Sequence, residues 1–151
     1  MYMHLSLVDT SSLPALNCLC ASFRRASRAL TQHYDEALRP LGLRATQFTV
    51  LQALSIAKNV TQGQLGRILA MDSTTLTRTL EIMSAHGWIA KVPGKDRRVR
   101  RLRLAPSGEN LLRRALPRWE QVQSRLRRRM GAEQWDRLLQ FTNNVAATVT
   151  E

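Results

Sequence analysis

Apolar residues recur in steps of three and four through most of this chain, and in steps of two only once. From Leu16 to Leu38 the stripe runs through Leu16, Leu19, Cys20, Phe23, Ala26, Leu30, Tyr34, Ala37 and Leu38. That spacing predicts an amphipathic helix of about six turns. Ser11 or Ser12 ahead of Pro14 suits its cap and first turn, and Pro40 and Gly42 end it. Thr46 to Ala57 repeats the pattern through Phe48, Leu51, Ala53 and Leu54. Thr61-Gln62-Gly63-Gln64 is a Thr-x-x-Gln capping box, predicting a short helix with Leu65, Ile68 and Leu69 inward. After a corner at Ala70-Met71, Asp72 or Ser73 caps another helix. Its Leu76, Leu80 and Met83 face in, its opposite face carries Thr74, Thr75, Thr77 and Arg78, and Gly87 closes it.

Beyond Gly87 the period changes. Trp88 to Val92 and Val99 to Leu104 are strand-forming runs, the second alternating roughly by two. Between them Pro93-Gly94-Lys95-Asp96-Arg97-Arg98 predicts a cation-loaded hairpin tip. Ser107 then opens a helix with Glu109 in its first turn, where the helix dipole favours an acid. Its stripe continues through Leu111, Leu112, Ala115, Trp119, Val122, Leu126 and Met130. Pro117 removes one backbone donor and is expected to kink this helix or split it. Gly131 interrupts, and a last helix over 132–148 presents Trp135, Leu138, Leu139, Thr142, Val145 and, just past its end, Val149. The leucine and tryptophan stripes after Ser107 read as core rather than as a ligand box.

Two short helices joined by a tight turn, followed by a basic hairpin, make a helix-turn-helix candidate with a β-wing. Charge sharpens the picture. Of 151 residues, 23 are Lys or Arg and 11 Asp or Glu, a formal net charge of +12. Residues 91–129 hold 14 of the basic groups and three of the acidic ones. The excess is therefore local, and it asks for a polyanionic partner.

Other classes are set aside by what interrupts the pattern. Polar residues break every apolar run well short of the ~20 residues a membrane helix needs. The first twelve residues carry no basic segment ahead of an apolar one, so no secretory signal is expected. Cys18 and Cys20, two apart, point to different faces of a helix, so no disulfide between them is expected and a cytoplasmic setting fits. His4, His33 and His86 show no ligand spacing, so no metal or other cofactor is expected. No Ser/His/Asp order, glycine-rich phosphate loop or carboxylate pair points to an enzyme.

The order and spacing together resemble the MarR family of transcriptional regulators, from about Leu16 to Thr148. The most specific stretch is Asp96-Arg97-Arg98-Val99-Arg100-Arg101-Leu102-Arg103-Leu104-Ala105-Pro106-Ser107-Gly108, similar to that family's wing. Leu76-Thr77-Arg78-Thr79-Leu80 and His86-Gly87-Trp88-Ile89 resemble its recognition helix running into the wing. Ala105-Pro106-Ser107 departs from the commoner Leu-Thr helix start, and the wing is unusually rich in arginine. The resemblance implies a mainly α fold with a small β-hairpin wing: a winged helix-turn-helix flanked by N- and C-terminal dimerisation helices. It divides one integrated domain into an arm over 1–15, a first dimerisation helix and connection over 16–44, the DNA-binding region over 45–105, and C-terminal dimerisation helices over 106–151. Apolar faces too long for one small head to cover agree with a partner chain.

The expected function is sequence-specific binding of double-stranded DNA by a homodimeric repressor on a pseudo-palindromic operator, relieved by a small-molecule or oxidant signal. Ser73, Thr74, Thr75, Thr77 and Arg78 are the expected major-groove contacts: threonine methyls meet thymine methyls, hydroxyls meet base edges, and arginine grips guanine. Thr61 and Gln62 are candidates for phosphate contact through exposed N–H groups. The resemblance places Arg98 in the minor groove, with Asp96 bracing the wing through a salt bridge, while Lys95 and Arg97 meet phosphates. Arg125, Arg127, Arg128 and Arg129 fit a solvated face or a dimer contact better than bases. Cys18 and Cys20 read either as a redox switch near a helix N-terminus, or as a small core group at Cys20 with Cys18 incidental. A non-specific architectural nucleic-acid-binding protein is the rival reading. It predicts no sequence preference.

Overall fold

The computed structural model describes residues 17–96 and 98–149, which fall into two units, one ending at Gln32 and the other beginning at His33. The first unit is occupied by α1 (Leu19–Leu38), which runs on into the second. The helix starts at Leu19 rather than Leu16, and the expected cap at Ser11, Ser12 and Pro14 lies outside the described residues. Leu19, Cys20, Ala26 and Leu30 are exposed. Cys20 is therefore not the buried core group that its place on the stripe suggested, although Phe23, Tyr34 and Ala37 of the same stripe are partly buried and Leu38 fully so.

In the second unit, α1 ends through a short 3-10 turn, Arg39–Leu41, and Gly42 in the left-handed region. Asp35 Oδ1 then accepts from the Ala45 N–H at 2.7 Å and fixes the entry to α2 (Ala45–Ala57). Phe48, Val50, Leu51, Ala53 and Leu54 of α2 are all buried. A helix apolar on several sides belongs at the centre of a core. Around it pack Leu65 of α3 (Gln62–Leu69), Leu76, Leu80 and Met83 of α4 (Ser73–Ala85), and Leu111, Leu112 and Ala115 of α5 (Pro106–Met130). Each fully buried leucine contributes roughly 1.5–3 kcal/mol relative to exposure. Ile68, expected inward, is 57% exposed. The eight-residue α3 covers the core through Leu65 and the partly buried Leu69 alone.

The strands are β1 (Val60–Thr61), β2 (Ile89–Pro93) and β3 (Arg100–Leu104), antiparallel in the order β1-β3-β2. Val60 faces Leu102, and Ile89 faces Leu104. Val60, Leu102 and Ile89 are buried, so the sheet rests one face on the helices. Two residues carry no period, and β1 was not legible in the sequence.

α5 begins one residue earlier than expected, with Pro106 in the first turn, where a missing N–H costs nothing. It runs unbroken through Pro117, so of the expected kink or split the split does not occur. Pro117 and Arg113, whose carbonyl loses its helical donor, are both exposed, so water can satisfy that oxygen. α6 (Ala132–Val149) buries none of its residues: Trp135 is partly buried, Leu138 and Leu139 are exposed, and Phe141 and Val149 strongly so. Its stripe is not core in this chain, unlike that of α5.

Candidate nucleic-acid interface

α3 and α4 are each started by side chains that take up orphan N–H groups. Thr61 Oγ1 accepts from the Gln64 N–H at 3.1 Å, and Gln64 Oε1 accepts from the Thr61 N–H at 2.9 Å. The capping box is present as the sequence spelled it, and because it takes up the Thr61 N–H, that group is not the free donor to phosphate that was expected. Between the helices Ala70 adopts a left-handed conformation, φ 49°, and Met71 N–H reaches back to Gly66 O at 3.0 Å. Asp72, not Ser73, is the cap of α4, and its Oδ1 accepts from the Thr75 N–H at 2.8 Å. Its other oxygen, Oδ2, accepts from the Thr75 hydroxyl at 2.6 Å. These hydrogen bonds, the hydroxyl's first, hold the Asp72 carboxyl below the ordinary carboxylate value of 3.8.

Ser73, Thr74, Thr75, Thr77 and Arg78 are all exposed and share the outer side of α4. The structure joins Gln62 to this group: its Nε2 donates to Thr77 Oγ1 at 2.9 Å, linking the start of α3 to the middle of α4. Below, α4 closes through His86 and Gly87, whose φ of +73° favours glycine. His86 stacks on Trp88, with ring centroids 4.3 Å apart and 10° between planes.

That junction is pinned to α5. Ala105 N–H donates to Trp88 O at 2.9 Å, and the Ser107 hydroxyl donates to Gly87 O. Gly108 is needed here, because a Cβ would lie 2.0 Å from Trp88 O. The end of α4, the start of the wing and the first turn of α5 are therefore joined by direct contacts.

In the wing, Gly94 N–H donates to Val99 O at 3.0 Å and Val99 N–H to Asp96 O at 3.0 Å. Asp96 Oδ1 accepts from the backbone N–H of Arg98 at 3.0 Å. The expected salt bridge is absent: among the described residues no ion pair joins Asp96 to the Arg98 guanidinium. A two-residue span is short enough for the carboxylate to close an Asx turn on the backbone, which leaves the guanidinium to solvent. Lys95 and Arg98 are exposed, and Arg97 lies outside the described residues. Arg101 was not singled out from the sequence. Its Nη1 donates to Asn59 O at 3.1 Å and ties the central strand to the end of α2. Only a contact between distant segments distinguishes it from its neighbouring arginines.

Cys18 and Cys20 are both exposed. Among the described residues no group of His, Cys, Asp or Glu could hold a metal ion, and no helix is long and apolar enough to cross a membrane.

An exposed, small-polar helix beside an arginine-bearing hairpin is a winged-helix reading head, and the comparisons agree. A model of the MarR family matches residues 41–99. The crystal structure of the Mycobacterium tuberculosis transcriptional regulator MosR in complex with DNA superposes with a TM-score of 0.80 at 36% identity, over 88% of this chain and 96% of that one. The chain belongs to the MarR family. It is similar also to the HTH-type transcriptional regulator YwoH of Bacillus subtilis, 28% identical over 91 residues, 60% of this chain and 66% of that protein. The multiple antibiotic resistance protein MarR of Salmonella typhimurium is 38% identical over 72 residues, 47% of this chain. The chain spans half the length of that second relative and just under two thirds of the first. The MarR family comprises transcription regulators, not enzymes.

Proposed function

We propose that this MarR-family protein is a homodimeric, sequence-specific double-stranded DNA-binding repressor that acts in the cytoplasm. The observation that carries the reading is the shared exposure of Ser73, Thr74, Thr75, Thr77 and Arg78 on α4 alongside Lys95 and Arg98 on the wing. The α4 residues enter a major groove, Arg98 the adjacent minor groove, and Lys95, Arg97 and Gln62 meet phosphates. Asp96 holds the tip in shape through the Arg98 N–H. DNA in the MosR crystal structure supports the same class of partner here.

The exposed apolar residues of α6, Leu138, Leu139, Phe141 and Val149, support a partner chain built on segments 16–44 and 106–151. Two-fold symmetry then calls for a pseudo-palindromic operator with half-sites about one helical turn apart. Release follows from a small molecule or oxidant that favours a different spacing of the two heads. If the oxidant acts through Cys18 and Cys20, peroxide should release DNA from the wild type and not from a Cys18→Ser, Cys20→Ser variant. Release from both would exclude these thiols.

Selection of bound duplexes from a random pool tests the main reading. A recovered two-fold motif, held against excess unrelated duplex at physiological salt, is expected. Equal binding to every duplex would replace it with the architectural reading.

A further inference from the structure

The Thr75 hydroxyl has a fixed hydrogen-bonding direction. A carboxylate only accepts, so at 2.6 Å from Asp72 Oδ2 the Thr75 Oγ1 must spend its single proton on Asp72. What the hydroxyl has left to offer a ligand is its two lone pairs, which only accept. Asp72 is itself locked as the cap, because its Oδ1 accepts from the Thr75 N–H at 2.8 Å.

We propose that Thr75 reads an exocyclic amino group in the major groove, adenine N6 or cytosine N4, and that Asp72 is the positioning residue that sets this choice. The inference rests on the DNA-binding reading above. Phosphate oxygens accept and do not donate, so Thr75 cannot bond to the backbone while Asp72 keeps its proton. The negative charge of Asp72, exposed at the tip of α4, also disfavours a phosphate there. Among major-groove edges only the amino groups donate. An acceptor-only Thr75 therefore turns away from the guanine edge and from thymine O4, which both present acceptors.

The two groups can be separated by substitution. Asp72→Asn keeps a good cap. Its amide oxygen can still take the Thr75 N–H, while its NH2 stands where Oδ2 stood and donates to the Thr75 hydroxyl. The hydroxyl proton is then turned outward, and Thr75 becomes a donor. Thr75→Val removes the hydroxyl and keeps the shape.

The experiment uses the full chain and the duplex selected from the random pool. At each base pair, adenine is replaced by purine or cytosine by 2-pyrimidinone, which removes only the amino group. Wild type should lose about fivefold or more in affinity at one base pair of each half-site. Thr75→Val should be indifferent to that replacement, and Asp72→Asn should shift its preference there to a base presenting an acceptor. Far-ultraviolet circular dichroism checks that both variants remain folded. An Asp72→Asn profile identical to that of wild type would overturn the proposal, as would a Thr75→Val loss uniform over all sequences. A selection that recovers no motif would overturn the DNA-reading function itself. A recovered motif with an unchanged Thr75→Val profile would overturn only this inference.

Discussion

Arg98 is the residue on which the wing assignment turns. It is exposed and its guanidinium has no carboxylate partner among the described residues, so substitution removes charge without leaving a buried group unpaired. Arg98→Ala is expected to weaken operator binding at least tenfold, with an unchanged denaturation midpoint; fluorescence anisotropy at physiological salt measures the first. Unchanged affinity would remove Arg98 from the interface. Asp72 offers a pH prediction with a definite sign. Its folded value is held below 3.8 by hydrogen bonds from Thr75. Its stabilising contribution is therefore complete above the unfolded value and lost as pH falls through the lower, folded one. The advantage of wild type over Asp72→Ala in urea denaturation should stay constant from neutral pH to about pH 4 and shrink below it. A difference that already fades near pH 6 would mean that another group is responsible.

At the scale of elements, direct contacts join α4, β2 and α5. Gly108→Ala would force a Cβ to 2.0 Å from Trp88 O, a backbone atom with no flexible end to swing aside. A loss of about 1–3 kcal/mol or more is expected in denaturation, accompanied by weakened DNA binding as the wing is displaced. Stability within a few tenths of wild type would mean that the junction is pliable. Much at this scale was legible in the sequence. The capping box at Thr61 and Gln64, the inward Leu76, Leu80 and Met83, and the hairpin with its basic tip all follow from local spacing and turn chemistry. The errors also have local causes. Ile68 lies on the apolar side of a helical wheel, yet α3 is too short to bury it. Of the kink or split expected at Pro117 only the split is excluded, since the carbonyl it deprives belongs to the exposed Arg113, where water can reach it.

At the scale of the whole molecule, α6 presents more apolar surface than this chain covers. Phe141 is 69% and Val149 76% exposed. Charging one face with Leu138→Asp and Phe141→Asp, three residues apart, is expected to lower the sedimentation mass from dimer to monomer and to cost operator binding at the same time. A variant that remains dimeric and binds normally would place the dimer contact elsewhere. The basic excess divides at this scale as well. Residues 91–103 form the hairpin that meets DNA in the proposed function, whereas Arg127 faces Asp136 at 3.6 Å on the following helix. An exposed pair of that kind adds little stability and no sequence reading.

The sequence by itself determined the order of the helices, their ends to within a few residues, the apolar stripe of most of them and where the arginines cluster, because these depend on residues three or four apart. The identity of the reading head was legible for the same reason: its helix, turn and hairpin are consecutive. Only the tertiary structure decided the pairing of Val60 with Leu102, the tie from Arg101 to Asn59, the link from Gln62 to Thr77 and the close approach of Gly108 to Trp88. Each joins segments at least fifteen residues apart, and such contacts leave no period in the chain. The Asp72–Thr75 pair stands between the two. Its spacing is local, but the direction of the hydroxyl proton follows from which atoms meet, and that is settled only in the folded chain.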